Sequence, residues 1–339
     1  MSASLRLVLP LLLTLSAVSC KSSEGNQEPL IMPAEGARAK IVDKGEPAET
    51  PKRIALVMKT LTNPFFVSME RGAHRAENEL GIELLVRTHG DETAIEQQIA
   101  IVKKLIREGV DAMAVVPGNS TEMIPVVKEA QSAGIAIVNV DNRFDPETAH
   151  EWGLDGIPFV GVNNVEGARI AAEYLAGQLT LPAQVAIIEG DPAAYSSHER
   201  KQGALEGFAA VAGVDVVAVE TAHWNIEKAR EAAARIFEKF PDVRGVFCAN
   251  DIMALGVIRF LEESGKHQSV LVTGYDAIEE ARAAIRSGKL LATVDQRPDV
   301  QGYTGVKFAA RLLAGETLPR ETYIDVELVT AASLEEEKP

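Results

Sequence analysis

Polar and aromatic side chains recur directly after the short apolar runs of this sequence. The candidates are Lys59, Asn63, Phe65, Phe66, Asp141, Asn142, Arg200, Trp224, Asn250, Tyr275, Asp276 and Gln296. Carboxylates accept hydrogen bonds, a guanidinium donates them in a planar fork, and side-chain amides do both. Aromatic rings cover apolar C–H faces. Together these groups suit a small polyhydroxylated ring, such as a sugar.

The segment LTNPFF, residues 61–66, illustrates how such a group is positioned. Pro64 prevents a helix from running back through Asn63, so the turn is expected to aim Asn63 into a cleft. Two adjacent aromatic residues cannot both point into one helical core stripe. We therefore expect Phe66 to face the core and Phe65 to offer a platform for a ligand ring, the alternative being that both simply pack.

Several of these positions have a second interpretation. Lys59 either meets an acidic or phosphorylated ligand group or faces solvent at the rim. Asp251, next to Asn250, is either a helix N-cap or a ligand contact. Asp141 and Asp276 would also suit the acid/base pair of an enzyme, and Tyr195 and His198 are weaker candidates for the site.

The elements that must position these residues alternate along the chain. Apolar runs read as strands over 53–58, 82–88, 112–116, 135–140, 159–162, 184–189, 214–219, 244–248, 269–274 and 290–294. Amphipathic stretches between them have helical spacing. A connection over 141–157, a helix over 299–314 and one strand over 322–329 complete the pattern. Because the strands lack polar alternation, we expect parallel sheets covered by helices on both faces, an α/β doubly wound fold.

So many strands exceed one small sheet and predict two lobes. The N-terminal lobe is expected to comprise 52–162 plus 297–323, and the C-terminal lobe 163–296 plus 324–332. The chain would cross between them near Val162, Gln296 and Tyr323. Ligands of open α/β sheets bind outside the carboxyl ends of the strands, where the candidate residues lie.

Composition narrows the function classes. The net charge of −15 argues against nucleic acid or anionic lipid as a partner held by a basic surface. Nothing in the sequence is spaced for zinc, and no metal or other cofactor is expected. Cys248 closes the apolar run GVFCA and is expected to be a buried, unreactive thiol.

The N-terminus indicates export. Residues 1–19 carry one basic residue and an apolar stretch too short to span a membrane, as in a signal peptide. Small residues before Cys20 resemble a bacterial lipobox, so Cys20 is expected to be lipidated, the alternative being a plain secreted protein. Residues 20–51 are polar and rich in Gly, Pro and Glu, as expected of a flexible tether that holds the protein in the periplasm or cell envelope.

Five segments carry a resemblance to a known family. They are IALVMKTLTNPFFVSMERGA (54–73), IVNVDN (137–142), HERKQGALEGF (198–208), FCANDIMALGVIRFLEESGK (247–266) and VTGYDAIEEARAAIRSGKLLATVDQRPDVQG (272–302). Together they resemble the ribose-binding-protein-like periplasmic sugar receptors, the type I periplasmic binding proteins. The sequence departs from the ribose receptors at Lys59, where they have a small hydroxyl residue, and at Asn142, where they have arginine.

The resemblance implies two lobes that close on a monosaccharide, a pentose or hexose, and deliver it to an ABC permease and its ATPase. It assigns ligand contacts to the candidate residues other than Lys59 and Asn142, with Phe66 and Tyr275 as neighbours of the matched contacts, and it implies a monomer that is not an enzyme. A receptor for a chemoreceptor or sensor kinase is the main alternative. The ligand-binding core of a LacI-type regulator shares the fold, but residues 1–51 lack the DNA-binding helices it would need.

Overall fold

The structure, a computed structural model, describes residues 50–336. The predicted signal peptide, Cys20 and nearly all of the predicted tether lie outside the described residues. Within 50–336 no helix combines the length and the apolar character needed to cross a membrane.

Strands and helices alternate through most of the described chain. The strands are β1 (Arg53–Val57), β2 (Glu83–Arg87), β3 (Ala112–Val115), β4 (Ala136–Val140), β5 (Phe159–Val162), β6 (Ala183–Glu189), β7 (Val214–Thr221), β8 (Val243–Cys248), β9 (Leu271–Thr273), β10 (Ala292–Asp295), β11 (Glu321–Ile324) and β12 (Glu327–Thr330). The helices are α1 (Pro64–Leu80), α2 (Ile95–Glu108), α3 (Ile124–Ser132), α4 (Pro146–Glu151), α5 (Asn164–Gly177), α6 (Tyr195–Ala209), α7 (Ile226–Lys239), α8 (Asp251–Glu263), α9 (Glu279–Arg286), α10 (Pro298–Leu313) and α11 (Ala331–Glu336).

Two six-stranded sheets organise these elements, and each sheet defines one lobe. Lobe one is built on the order β11-β5-β4-β3-β1-β2, in which all neighbouring strands are parallel. Lobe two is built on the order β12-β10-β9-β8-β6-β7, in which only β12 is antiparallel to its neighbour. The predicted pair of doubly wound parallel sheets is confirmed.

Burial explains why the strands read as continuous apolar runs. All four residues of β3 and of β5 are buried, as expected for strands covered by helices on both faces. Cys248 ends β8 at full burial, and desolvation raises the pKa of its thiol well above the ordinary value. The predicted burial of Cys248 is confirmed.

The chain passes between the lobes three times. β5 in lobe one leads into α5 in lobe two, and β10 in lobe two leads into α10, which packs against α1 in lobe one. The third passage corrects the predicted single strand over 322–329. That run is two strands, β11 in the first sheet and β12 in the second, separated by Asp325 and Val326. The connection 141–157 also holds a short helix, α4, capped by Asp145.

Candidate ligand-binding site

A small cavity lies between the lobes at the carboxyl ends of their strands; its empty space, counted together with the adjoining open solvent, is about 270 Å³. Its lining residues are Lys59, Asn63, Phe65, Phe66, Glu92, Asp141, Ser196, Arg200, Trp224, Asn250, Asp276 and Gln296. Lobe one supplies half of the lining residues and lobe two the other half.

The first turn of α1 places three of these residues. Asn63 is the N-cap, and its Oδ1 accepts a hydrogen bond from the backbone N–H of Phe65 at 3.0 Å. Its Nδ2 donates to Oε1 of Glu92 at 2.8 Å. The rings of Phe65 and Phe66 meet edge to face at 5.0 Å, and both line the cavity while packing into the core. Phe66 therefore faces the core and Phe65 lines the cavity, as expected, but Phe66 lines the cavity as well and Phe65 also packs into the core.

Lys59 lies inside the cavity, where only 3% of the residue is exposed, so a solvent-facing position at the rim is excluded. Its Nζ lies 3.9 Å from Oε2 of Glu92. The ammonium group also lies 5.8 Å from the ring centre of Phe66 and 5.6 Å from that of Trp224. Burial raises the pKa of Glu92, and the neighbouring Lys59 charge opposes that rise.

Asp141 follows β4 in a left-handed conformation, with φ of 62°. Its backbone N–H donates to the carbonyl of Val160 at 2.9 Å, which ties the turn to β5. The carboxylate is buried at the cavity wall, and desolvation raises its pKa against the opposing charges of Lys59 and Arg200.

Arg200 enters the cavity from the second turn of α6. Its Nε donates to Oδ1 of Asn164 and its Nη1 to the carbonyl oxygen of Ala249, each at 2.8 Å. The guanidinium also stacks on the ring of Tyr275, with 3.9 Å from Cζ to the ring centre. Three fixed contacts thus orient a single buried cation.

Gly203 explains why Arg200 can reach Asn164. A β-carbon on Gly203 would lie 2.1 Å from the carbonyl oxygen of Val165. The glycine therefore lets α6 approach α5 closely, which brings the first residue of α5 against the arginine one turn earlier on α6. This contact gives the R-x-x-G spacing a physical cause.

Asp276 and Gln296 form the polar part of the cavity wall next to Arg200. Nε2 of Gln296 donates to Oδ1 of Asp276 at 2.6 Å, and Nη1 of Arg200 lies 3.5 Å from the same oxygen. Burial raises the pKa of Asp276 well above its ordinary value despite the nearby arginine. Within the described residues, Oε1 of Gln296 and Nε1 of Trp224 are buried without a hydrogen-bond partner.

A buried carboxylate holds the loop that carries Asp276. This residue and Ala277 both have positive φ, 121° and 52°. Oδ1 of Asp251 accepts from the hydroxyl of Thr293 at 2.6 Å, and its Oδ2 accepts from the backbone N–H of Ile278 at 3.0 Å. Both carboxylate oxygens of Asp251 are thus hydrogen bonded to residues around this loop. Asp251 does not line the cavity, and it is not the N-cap of α8.

Asn250, not Asp251, caps α8. Its Oδ1 accepts from the backbone N–H of Met253 at 2.9 Å. Trp224, in a left-handed conformation, lies against Gly190, where a β-carbon would come within 2.1 Å of the indole ring. Because Gly190 has no β-carbon, the indole ring can pack against its backbone and line the cavity.

Two predicted residues do not line the cavity. Asn142 is fully buried, and its side chain is hydrogen bonded to Pro117, Ser120 and the backbone of Ser196. Tyr275 lies behind Arg200 rather than on the wall. In each case the neighbouring aspartate takes the cavity position, because the backbone turn sends only one of the two side chains inward.

Arg143, Tyr195 and His198 also lie off the cavity lining. Arg143 bonds to Glu321 and Tyr323 of β11, at 2.5 and 2.7 Å. The imidazole of His198 lies 2.7 Å from the carbonyl oxygen of Pro192 on the exposed side of α6.

Sequence reasoning missed two lining residues, Glu92 and Ser196. Both follow strands of the predicted sheets, Glu92 after β2 and Ser196 after β6, so the strand-end rule applied to every strand would have included them. Nothing local distinguishes Glu92 from its polar neighbours Asp91 and Thr93.

The arrangement joins acceptors, donors and rings around one small space. The wall holds three carboxyl groups and two cations, and all five side chains are largely buried. They are those of Glu92, Asp141, Asp276, Lys59 and Arg200. Residues 50–336 contain no group of three or more His, Cys, Asp or Glu residues placed to hold a metal ion.

Comparison with known proteins places the chain among bacterial binding proteins. The model for the periplasmic binding protein domain matches residues 54–317. The D-ribose/D-allose-binding protein of Pseudomonas aeruginosa is 40% identical over 292 residues, 84% of this chain and 91% of that protein. The D-allose-binding periplasmic protein of Escherichia coli is 31% identical over 277 residues, 81% and 89% of the two chains.

Solved structures agree with this similarity. An ABC transporter periplasmic solute-binding protein from Actinobacillus succinogenes, solved with bound D-allose, superimposes with a TM-score of 0.80. It is 35% identical, and the match covers 84% of this chain and 99% of that one.

Proposed function

This chain belongs to the periplasmic binding protein domain family, and we propose that it is the extracytoplasmic receptor of an ABC sugar importer, binding one monosaccharide between its lobes. The family consists of substrate-binding proteins, not enzymes. One observation carries the proposal: the cavity between the lobes gathers carboxylates, amides, a guanidinium and aromatic rings on one small volume.

Sugar hydroxyls can both donate hydrogen bonds to this wall and accept them from it. Asp141 and Asp276 accept hydrogen bonds from hydroxyls, Arg200 donates to them, and Asn63 and Asn250 flank them. Hydrogen bonds to charged groups contribute about 1.5–3 kcal/mol each, and a micromolar dissociation constant needs about 8 kcal/mol. A few such bonds together with ring contacts reach that affinity after the costs of association.

We propose a neutral aldose of the ribose or allose type as the ligand. Lys59 is already paired with Glu92, and the carboxylates of the wall outnumber the cations. Arg200 likewise lies 3.5 Å from Asp276, so a phosphate or carboxylate on the ligand would find no cation without a carboxyl neighbour on this wall. The unpaired Oε1 of Gln296 and Nε1 of Trp224 offer one acceptor and one donor to a neutral hydroxylated ring.

Binding operates as a hinged clamp in this proposal. The hinge comprises the three passages after β5, after β10 and between β11 and β12. A ligand that touches both lobes stabilises the closed form by its differential affinity for that form. The permease then recognises the closed protein.

Membrane attachment is the finer part of the proposal. Cys20 would carry the lipid, residues 20–51 would form the tether, and the binding unit would act as a monomer at the membrane surface. Cys20→Ala should move the protein from the membrane to the soluble fraction while its affinity for sugar stays unchanged. A variant that stays on the membrane would refute lipid anchoring at this residue.

The direct experiment is a thermal-shift screen followed by calorimetry. Pentoses, hexoses, deoxy sugars, polyols and sugar phosphates are each tested with the wild-type protein and with Arg200→Ala. At least one neutral aldose should raise the thermal midpoint of the wild-type protein and leave that of the variant unchanged. If none of the neutral sugars shifts the midpoint, the proposed function is wrong.

A further inference from the structure

Helix α6, which carries Arg200, lacks a cap from its own lobe. Its N-cap residue is Ala194, which has no side-chain acceptor, although its backbone is extended as an N-cap requires. The first backbone N–H groups of a helix have no partner within the helix and need an acceptor elsewhere. In α6 these groups belong to Tyr195 and Ser196.

Lobe one supplies the missing acceptors. The N–H of Tyr195 donates to Oγ of Ser120 at 2.8 Å, and the N–H of Ser196 donates to Oδ1 of Asn142 at 3.0 Å. A third bond runs the other way, from the N–H of Ser120 to the carbonyl of Ala193 at 2.9 Å.

Both acceptors are held in place by contacts within lobe one. Asn142 is fully buried, and its Nδ2 donates to the carbonyl of Pro117 at 2.8 Å and to Oγ of Ser120 at 3.1 Å. Ser120 is 4% exposed. All of these partners lie in lobe one, so the orientation of the pair does not depend on lobe two.

We propose that Ser120 and Asn142 are affinity-determining residues that cap α6 in trans only when the lobes are closed. They stabilise the closed form without touching the ligand, and they secure the helix that brings Ser196 and Arg200 to it. This inference rests on the proposed hinged binding. It also gives Asn142, which was expected to contact the ligand, a role between the lobes instead.

The size of the effect follows from what opening changes. When the lobes separate, water replaces the trans-cap, so each bond contributes only its net value. The apparent affinity for the ligand falls in proportion to the population of the closed state. A variant that lacks one of these bonds should therefore bind more weakly, mainly because the ligand dissociates faster. Ser120→Ala should raise the dissociation constant about fivefold, which corresponds to about 1 kcal/mol.

The test compares Ser120→Ala with Thr121→Ala, an exposed neighbour in the same loop. Dissociation constants are measured by calorimetry for an aldose and its deoxy derivatives, and dissociation rates by stopped flow. Ser120→Ala should weaken every ligand by the same factor. The thermal midpoint without sugar should fall only slightly, because Nδ2 of Asn142 loses its bond to Ser120 but keeps the one to the carbonyl of Pro117. Thr121→Ala should match the wild-type protein.

A second variant tests the capping itself. Ala194→Ser gives α6 an acceptor of its own, so the open form no longer lacks a cap. Binding should weaken while the thermal midpoint without sugar rises or holds. If binding is unchanged, whether the midpoint rises or holds, the cap supplied by Ser120 and Asn142 does not set affinity.

Two results for Ser120→Ala would overturn the proposal. The first is an unchanged dissociation constant, and the second is a loss confined to ligands that keep one particular hydroxyl, which would place Ser120 in direct contact with the sugar. Failure of the proposed function is distinct, because it appears as a wild-type protein that binds none of the sugars.

Discussion

Nζ of Lys59 lies 3.9 Å from Oε2 of Glu92, and both side chains line the same cavity. The carboxylate of Glu92 also accepts from the side-chain amide of Asn63 at 2.8 Å. The lysine that looks from sequence like a receptor for an anionic group is therefore neutralised by the protein itself. The proposed preference for an uncharged ligand depends on this pair.

The first prediction concerns ligand charge. Glu92→Gln leaves the Lys59 ammonium without its partner, so the variant should bind a neutral aldose about tenfold more weakly, a loss of about 1.4 kcal/mol. It should also gain affinity for the matching uronic acid, because the free cation now attracts a carboxylate. Calorimetry with both sugars measures this change. Equal binding of aldose and uronate by the wild-type protein would contradict the account.

The second prediction concerns the guanidinium. Arg200→Lys keeps the charge but loses the fork held by Asn164 and Ala249, so the dissociation constant should rise about a hundredfold, or about 2.7 kcal/mol. Gln202→Ala, on the exposed side of α6, is the matched control and should bind like the wild-type protein. A lysine variant with undiminished affinity would remove the planar fork from the mechanism.

The third prediction concerns the contact between Gly190 and Trp224. A β-carbon at Gly190 would lie 2.1 Å from the indole ring, so Gly190→Ala should displace that ring from the cavity wall. We expect sugar affinity to fall about tenfold or more, and tryptophan emission to shift toward that of an exposed indole. Gly177→Ala, which meets no atom within 4 Å, is the control. Wild-type affinity in Gly190→Ala would show that Trp224 does not contact the sugar.

The fourth prediction concerns pH. Burial raises the pKa of Asp251 to about 7 from an ordinary value of 3.8, with its hydrogen bonds opposing the rise. The folded protein therefore binds more protons than the unfolded chain between these values, and its free energy of unfolding falls as pH rises through that window. The contribution is at most about 1.4 kcal/mol per pH unit.

Asp251→Asn isolates that contribution, because the partners of Asp251 all lie in lobe two and do not depend on closure. Denaturant unfolding without sugar, measured between about pH 4.5 and pH 7, should show a shallower fall for the variant than for the wild-type protein. Parallel curves for the two proteins would mean that Asp251 keeps an ordinary pKa.

Local pattern predicts most of this fold and much of the cavity. Buried parallel strands are visible as apolar runs, and residues after their carboxyl ends must meet at one edge of the sheet. That rule brings Asn63 and Asp141 to one edge of the first sheet, and Arg200 and Asp276 to the same edge of the second, without any knowledge of the tertiary structure.

The rest depends on non-local geometry. Whether Asp141 or Asn142 faces the cavity is decided by a φ of 62° at the aspartate, which no spacing reveals. The run over 322–329 reads as one strand because nothing in its pattern marks the point between β11 and β12 where it leaves one sheet for the other. Glu92 becomes recognisable only through the lysine that it meets across the loop.

The central claim is that the two lobes bind one neutral monosaccharide, and calorimetric titration of the wild-type protein tests it most directly. D-ribose, D-allose and their close relatives are titrated in turn, with Arg200→Ala as the reference. The account predicts one-to-one binding of at least one aldose at micromolar or tighter affinity, and no measurable binding to the variant. Absence of heat with every aldose, or equal binding by the variant, would contradict it.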